Sequence, residues 1–470
     1  MKRIFTFLAA TLLVGAMMLA GCEKPAGPDD PEDPDEPVEE PAEVENPYDG
    51  MSRFKISVTV TEDWTFIGKQ PYFKFNIQNP NEKALPTEIK VKIFTDKGSS
   101  VTTLSLSTDI PAGSTKEVPF PVDYNLEPGF YKANCTVKNG NSKTFFFGYN
   151  PTDIVSAPDK QEDFDAYWDN AKAQLAAVDM APVLTEIPSR SSSARKVYLV
   201  EMNSVPDTPG GEPAVIRGYY LEPQDGKKHP VIVHFYGYDT LQNPEKIYCP
   251  YGGSSAEFAE FYLSTRGQII NHRPASKRED GIDRDFENTY GDWFAFQFGD
   301  KDGYYYRGAY MDCVQAVRFM ADQPTSDMSN LFGEGKSQGG AFSYAAAALS
   351  DYTFKAIAPC VAFMGDFPDY FKIVSWPGNV AKANKGSMTD EQMYAFLSYF
   401  DTKNLAPRIK SSVIACIGLQ DATCPPHTNI APYNNLSVSD KEMHYYPEMG
   451  HEIPSDWEDK IMKYFKERIK

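Results

Sequence analysis

The feature that most constrains this chain is a change of hydrophobic period at about Pro151. Before it, apolar residues recur at every second position: Phe54, Ile56, Val58 and Val60; Phe73, Phe75 and Ile77; Ile89, Val91 and Ile93. The pattern returns at Leu104 and Leu106; Val118, Phe120 and Val122; Tyr131, Ala133, Cys135 and Val137; and Phe145 to Phe147. Alternation of this kind suits a strand with one face buried and one wet. Turn pairs such as Asn79-Pro80, Lys97-Gly98, Pro128-Gly129 and Asn139-Gly140 separate the runs. About seven strands in about a hundred residues predict an immunoglobulin-like sandwich over residues 51–150. Beyond Pro151, short apolar runs such as Val231 to Phe235 and Phe261 to Thr265 alternate with helical spacing, as in Ala309, Cys313, Ala316, Val317 and Met320. That order predicts a mostly parallel sheet covered by helices over residues 151–470.

The first residues carry Lys2 and Arg3, then an apolar run from Ile4 to Ala20 that is short for a membrane span. Residues 1–21 read as an export signal. Leu19, Ala20, Gly21 and Cys22 have the form of a lipobox, so Cys22 is expected to carry a lipid and to begin the mature chain. The expected address is the outer membrane or cell envelope, with surface exposure suggested by the acidic residues behind Cys22. Residues 22–50 alternate Pro with Asp and Glu and hold about a dozen acids against Lys24 alone. Such a segment has too little apolar area to offset its ordering entropy and should act as an extended tether. It also accounts for about half of the formal charge of −19, and no basic patch offsets the rest, which argues against nucleic acid as a partner. Cys135, Cys249, Cys313, Cys360, Cys416 and Cys424 show no spacing of a disulfide framework or a zinc site, and buried thiols are the expectation.

Gly335-Lys336-Ser337-Gln338-Gly339-Gly340 contains Gly-x-Ser-x-Gly between a strand candidate, Leu331 to Glu334, and the alanine-rich, helix-favouring stretch Ala341 to Leu349. Strand, sharp turn and helix make a nucleophile elbow, which points to an α/β-hydrolase fold with Ser337 as nucleophile. A serine hydroxyl needs a base to take its proton and a carboxylate to orient that base. In this fold they follow in the order serine, acid, histidine. Asp421 lies just past the apolar strand candidate Ser412 to Leu419, and Asp366 is the second choice. His451 lies in the loop before the last helix and is preferred to His427 and His444. His229, His234 and His272 precede the serine and fit the order badly. For the oxyanion, Gln338 supplies one main-chain N–H, and Tyr238, behind Val231 to Phe235, is the candidate for the other.

Taken together these residues resemble the acetyl xylan esterase and cephalosporin-C deacetylase family, over roughly Pro151 to the C-terminus. The resemblance is carried by Arg266-Gly267-Gln268, Tyr304-Tyr305-Tyr306-Arg307, the serine motif, Asp421 followed by Cys424-Pro425-Pro426, and His451-Glu452. It implies a serine esterase that removes acetyl groups from sugars, with Ser337, His451 and Asp421 as triad and the N–H groups of Tyr238 and Gln338 as oxyanion hole. It implies structural roles for Arg266 and Gln268, no metal or organic cofactor, an acetylated carbohydrate as partner, and homo-oligomers, often ring-shaped hexamers. The chain departs from the family at Tyr236, where a histidine commonly stands, and in its added amino-terminal sandwich.

Two other functions fit the same residues: an esterase of this fold acting on other acyl esters, and a non-catalytic glycan-binding surface lipoprotein. The sandwich itself reads as a spacer in preference to a carbohydrate-binding module.

Overall fold

Every alternating run before Pro151 is a strand. The computed structural model describes residues 46–238, 247–268, 270 and 290–469, so the export signal, Cys22 and nearly all of the acidic tether lie outside the described residues, as does His272. Among the described residues eight strands precede Pro151: β1 (Lys55–Thr59), β2 (Thr65–Phe66), β3 (Tyr72–Gln78), β4 (Leu85–Thr95), β5 (Ser100–Ile110), β6 (Thr115–Pro121), β7 (Gly129–Val137) and β8 (Lys143–Tyr149). They form a sheet of order β1-β3-β6 and another of order β2-β8-β7-β4-β5. The inward residues of the alternation, including Phe73, Phe75, Ile77, Ile89, Val91 and Ile93, are fully buried. Phe73 of one sheet lies 5.0 Å from Phe145 and 5.3 Å from Phe147 of the other, so the sheets meet face to face. Each such side chain contributes roughly 1.5–3 kcal/mol by leaving water.

After α1 (Phe164–Ala177) the chain builds a nine-stranded sheet. Its strands are β9 (Val183–Glu186), β10 (Arg195–Ser204), β11 (Ala214–Pro223), β12 (His229–Phe235), β13 (Ala259–Ser264), β14 (Ser326–Lys336), β15 (Ala356–Cys360), β16 (Ser412–Gly418) and β17 (Lys441–Tyr446). The order is β17-β16-β15-β14-β12-β13-β11-β10-β9. From β12 to β17 neighbours run parallel, whereas β9 to β11 are antiparallel, an addition that the alternation of strands and helices did not announce. β14 is also longer than the expected Leu331 to Glu334. Its polar start pairs with His229 and Pro230 ahead of a register shift, where hydrophobicity gives no signal.

The helices are α2 (Tyr305–Ala321), α3 (Gln338–Leu349), α4 (Phe367–Ile373), α5 (Gly378–Asn384), α6 (Asp390–Leu397), α7 (Thr402–Leu405), α8 (Pro426–Asn434) and α9 (Trp457–Lys466). From β12 the chain steps to β13 on one side and then to β14 on the other. A reversal of winding opens a crevice at the carboxyl ends of the two diverging strands. Tyr238 follows β12 and Ser337 follows β14, so both stand at that crevice.

Candidate active site

Ser337 occupies the turn between β14 and α3 with φ 58° and ψ −120°, a left-handed conformation that side chains adopt only under strain. Its main chain is held from both ends: the N–H donates to Cys360 (2.9 Å) and the carbonyl accepts from Phe363 (3.0 Å). The flanking glycines are steric necessities. A Cβ on Gly339 would press on the carbonyl oxygen of Phe235, and one on Gly335 would press on that of Gly339.

The strands bring the other two predicted side chains to the same place. The Ser337 hydroxyl donates to Nε2 of His451 (3.0 Å), and His451 Nδ1 donates to Oδ2 of Asp421 (2.8 Å). Asp421 is buried just past β16, and its second oxygen, Oδ1, accepts the N–H groups of Thr423 and Cys424, each at 2.8 Å. Pinning one oxygen leaves the other aimed at the imidazole. With Nδ1 carrying the proton, Nε2 is free to take another from the serine, as nucleophilic catalysis requires.

Asp366, the second choice for the acid, belongs to a different group. Its carboxylate meets His427 Nε2 (2.9 Å), Lys403 Nζ (2.8 Å) and the Ser156 hydroxyl. Burial opposes its charge, but His427 and Lys403 outweigh burial and hold it well below the usual carboxylate range. His444 lies within β17, and His229 pairs with Asp225.

Gln338 is the first residue of α3, so its N–H has no acceptor within the helix and lies at the positive end of the helix dipole. The side chain of Gln338 accepts from the Tyr306 hydroxyl (2.8 Å). At the other candidate donor, the carbonyl of Gly237 accepts from Gln268 Nε2 (3.0 Å) and Gln338 Nε2 (3.4 Å). A trans peptide points its carbonyl and N–H in opposite directions. Fixing the Gly237 carbonyl therefore fixes the direction of the Tyr238 N–H. The Tyr238 ring is wedged 5.3 Å from both Trp293 and Trp376, and its hydroxyl donates to Asp292 (2.7 Å). Burial, reinforced by Asp292, raises that phenol above its ordinary value and keeps it a neutral donor.

Gln268 is itself oriented by Thr265, whose N–H donates to Oε1 (2.9 Å). Arg266 is buried against Asp312, with Nη2 to Oδ1 at 2.6 Å and Nε to Oδ2 at 2.9 Å, and it also reaches the carbonyl of Val205 (3.0 Å). It thus ties the end of β13 to α2 and β10. Cys424 is buried beside Asp421, and burial raises its thiol well above the ordinary value, so it is a neutral neighbour of Ser337 and no rival nucleophile. All six cysteines of the described residues are buried free thiols. Among the described residues one group could present three metal-ligating atoms together, Asp366, Asp369 and His427, and the cations Lys403 and Lys97 already pair with its carboxylates.

Comparison with known proteins bears on the family and the fold. Acetyl esterase Axe7A of Xylanibacter ruminicola is 26% identical over 355 residues, 73% of this chain and 75% of that protein. Acetyl xylan esterase 1 from Thermoanaerobacterium sp. JW/SL YS485 superposes with a TM-score of 0.56 at 25% identity, covering 68% of this chain and 98% of the other. The acetyl xylan esterase from Paenibacillus sp. R4 superposes with a TM-score of 0.57 at 27% identity, again over 68% of this chain and 98% of the other. Residues 153–468 match the acetyl xylan esterase (AXE1) family, and the chain, a carboxylic ester hydrolase on an α/β-hydrolase fold, belongs to that family.

Proposed function

We propose that this protein removes acetyl groups from acetylated xylan, xylooligosaccharides or related sugars through an acetyl-enzyme on Ser337. The observation that carries the reading is the continuous relay from Ser337 Oγ to His451 (3.0 Å) and on to Asp421 (2.8 Å). In this reading His451 takes the hydroxyl proton as Ser337 Oγ attacks the ester carbonyl. The resulting oxyanion accepts from the N–H groups of Tyr238 and Gln338, donors held ready before reaction. Collapse of the intermediate breaks the bond to the sugar oxygen, which leaves with the proton from His451. Water, deprotonated by His451, then attacks the acetyl-serine, and acetate departs as the proton returns to Ser337. Asp421 stays ionised throughout and steadies the imidazolium.

The substrate class is supported by the names of the relatives and by the family match. The decisive experiment is a panel of acetylated xylooligosaccharides set against other acetylated glycans and against longer acyl esters, with Ser337→Ala as the blank. Faster turnover of longer acyl esters than of acetyl esters would overturn the reading.

Further parts of the proposal rest on the sequence, and for the sandwich also on its two facing sheets. Residues 1–21 are an export signal and Cys22 is the lipid-bearing first residue of the mature protein, supported by Lys2, Arg3, the apolar run and Leu19-Ala20-Gly21-Cys22. The protein is then anchored in the cell envelope or outer membrane, with residues 22–50 as a tether. Residues 51–150 are an immunoglobulin-like sandwich and residues 151–470 the esterase domain.

A further inference from the structure

Gln420 sits one residue before Asp421, and its side chain reaches back to the amino-terminal sandwich. Its Oε1 accepts the N–H of Phe146 (2.9 Å), while its Nε2 donates to the carbonyls of Phe146 (3.1 Å) and Pro447 (2.6 Å). Only an amide nitrogen can face two carbonyls, so both donors and the acceptor are committed. Phe146 lies on β8, which pairs with β7 on one side and with β2 only at Gly148 and Tyr149 on the other. The side chain of Gln420 therefore takes the place that a neighbouring strand would fill at the open edge of β8.

The main chain of Gln420 works in the same direction. Its N–H donates to Met449 (2.9 Å), two residues before His451, and that of Leu419 donates to Tyr446 (3.0 Å). One residue thus joins the sandwich, the loop of the acid and the loop of the base. The rest of the acid-bearing segment is held from the same side. His427, at the start of α8, lies 3.7 Å from Asp96 of the β4–β5 turn, and Lys97 of that turn pairs with Asp369. At the far end of α8, Asn434 donates to the carbonyls of Pro151 and Ile154, both at 3.0 Å, and Asn435 to that of Ser156 (2.7 Å). The segment from Gly418 to Asn435 is gripped at its start and middle by the sandwich, and at its end by residues 151–156, the stretch that follows β8.

We propose that the amino-terminal sandwich positions the acid and base of the esterase, with Gln420 as the positioning residue, and is more than a spacer; this rests on the roles given above to Asp421 and His451. A relay with one partner displaced by a fraction of an ångström loses rate steeply, while binding of a small ester is barely touched.

The test uses the full chain carrying Gln420→Met, which keeps the length and apolar stem, or Gln420→Glu, which sets an oxygen against two carbonyls. Turnover of 4-nitrophenyl acetate is measured with the reactive serines counted by an organophosphate titrant. Both variants are expected to lose about tenfold in kcat per titrated serine, with KM within about twofold. A purely structural contact would lower the titrated fraction or the melting temperature and leave kcat per titrated serine within about twofold of the parent, and that result overturns the proposal. Ser337→Ala and His451→Ala, made with Gln420 intact, separate the two layers. Activity retained there refutes the catalytic assignment itself, whereas inactivity there with unchanged Gln420 variants refutes the positioning role alone.

Discussion

His427 and Asp366 form a buried 2.9 Å pair, a histidine–aspartate couple apart from His451 and Asp421. Asp366 in turn faces Lys403 and Ser156, whereas the His451–Asp421 couple reaches the serine. The two couples make opposite predictions. Asp421→Asn should cut kcat roughly a thousandfold or more, since the wrong face of the imidazole is then protonated, and Ser337→Ala should be inactive without unfolding. Asp366→Asn should keep kcat within about threefold but lower the melting temperature, because buried Lys403 loses a counter-charge. Comparison of kcat and melting curves across the three variants decides it; a dead Asp366→Asn beside an active Asp421→Asn would reverse the roles.

Gln268 offers a test of the proposed oxyanion hole without touching Ser337, His451 or Asp421. Gln268→Leu removes the shorter of the two donors to the Gly237 carbonyl (3.0 Å), leaves only Gln338 Nε2 at 3.4 Å, and so loosens the peptide that carries the Tyr238 N–H. We expect kcat to fall about ten- to a hundredfold with little change in KM. Unaltered kcat would show that the orientation of this peptide does not matter to the reaction.

Arg266 should matter to stability in a way its position at a crevice does not advertise. Arg266→Met strips Asp312 of a two-pronged partner in a fully buried place and leaves two neutral donors, the Ser204 hydroxyl (2.6 Å) and the main-chain N–H of residue 266 (3.0 Å), to answer its charge. A loss of about 3–5 kcal/mol is expected, read from denaturant unfolding. A loss under about 1 kcal/mol would mean that the site relaxes or admits water.

A pH dependence comes from His234. Its Nδ1 lies 2.6 Å from Glu334 and its Nε2 3.4 Å from Glu260, and its ring stacks on Tyr262 at 4.1 Å. Burial works against its charge, but the two carboxylates outweigh burial and raise its pKa to about 9. Burial also opposes charge on Glu260, yet His234 and Arg195 draw it down to about 2. The folded value of His234 lies above its ordinary 6.5, so its stabilisation is full below pH 6.5 and fades as pH rises through about 9. Glu260 contributes above its ordinary 4.5 and loses that contribution as pH falls towards 2. The melting temperature should therefore decline between about pH 7 and pH 10, less steeply in His234→Gln; equal slopes in parent and variant would contradict the assignment.

If Cys22 carries the proposed lipid, Cys22→Ala should move the protein from the membrane fraction to the soluble fraction. Unchanged sedimentation with membranes would count against lipidation at that residue.

Much of the site was legible because its signals are local. The alternation that marks β3 or β7 spans a few residues, and the serine motif carries strand, turn and helix within about twenty. Asp421 and His451 could be placed by their position after strand-like runs and by chain order. The antiparallel strands β10 and β11 went unnoticed because their apolar residues, such as Val197, Val200, Tyr219 and Tyr220, are buried on both faces and break the alternation, and β9 because it is four exposed residues with no buried face to mark it. Gln420 had no signal at all: its partner Phe146 is 274 residues away, and one glutamine in a loop looks like any other. The acceptor of Gln268 was hidden for the same reason.

The backbone at Ser337, with φ 58°, has a consequence for the protein under selection for heat resistance. Glycine is the residue that would relax this turn, and it would do so by deleting the hydroxyl. A screen that rewarded survival at high temperature and ignored turnover should drift towards Ser337→Gly, yielding a hardier and inert molecule. Natural selection must hold this position against the gradient of folding stability, so the elbow is a place where durability and chemistry are in direct conflict.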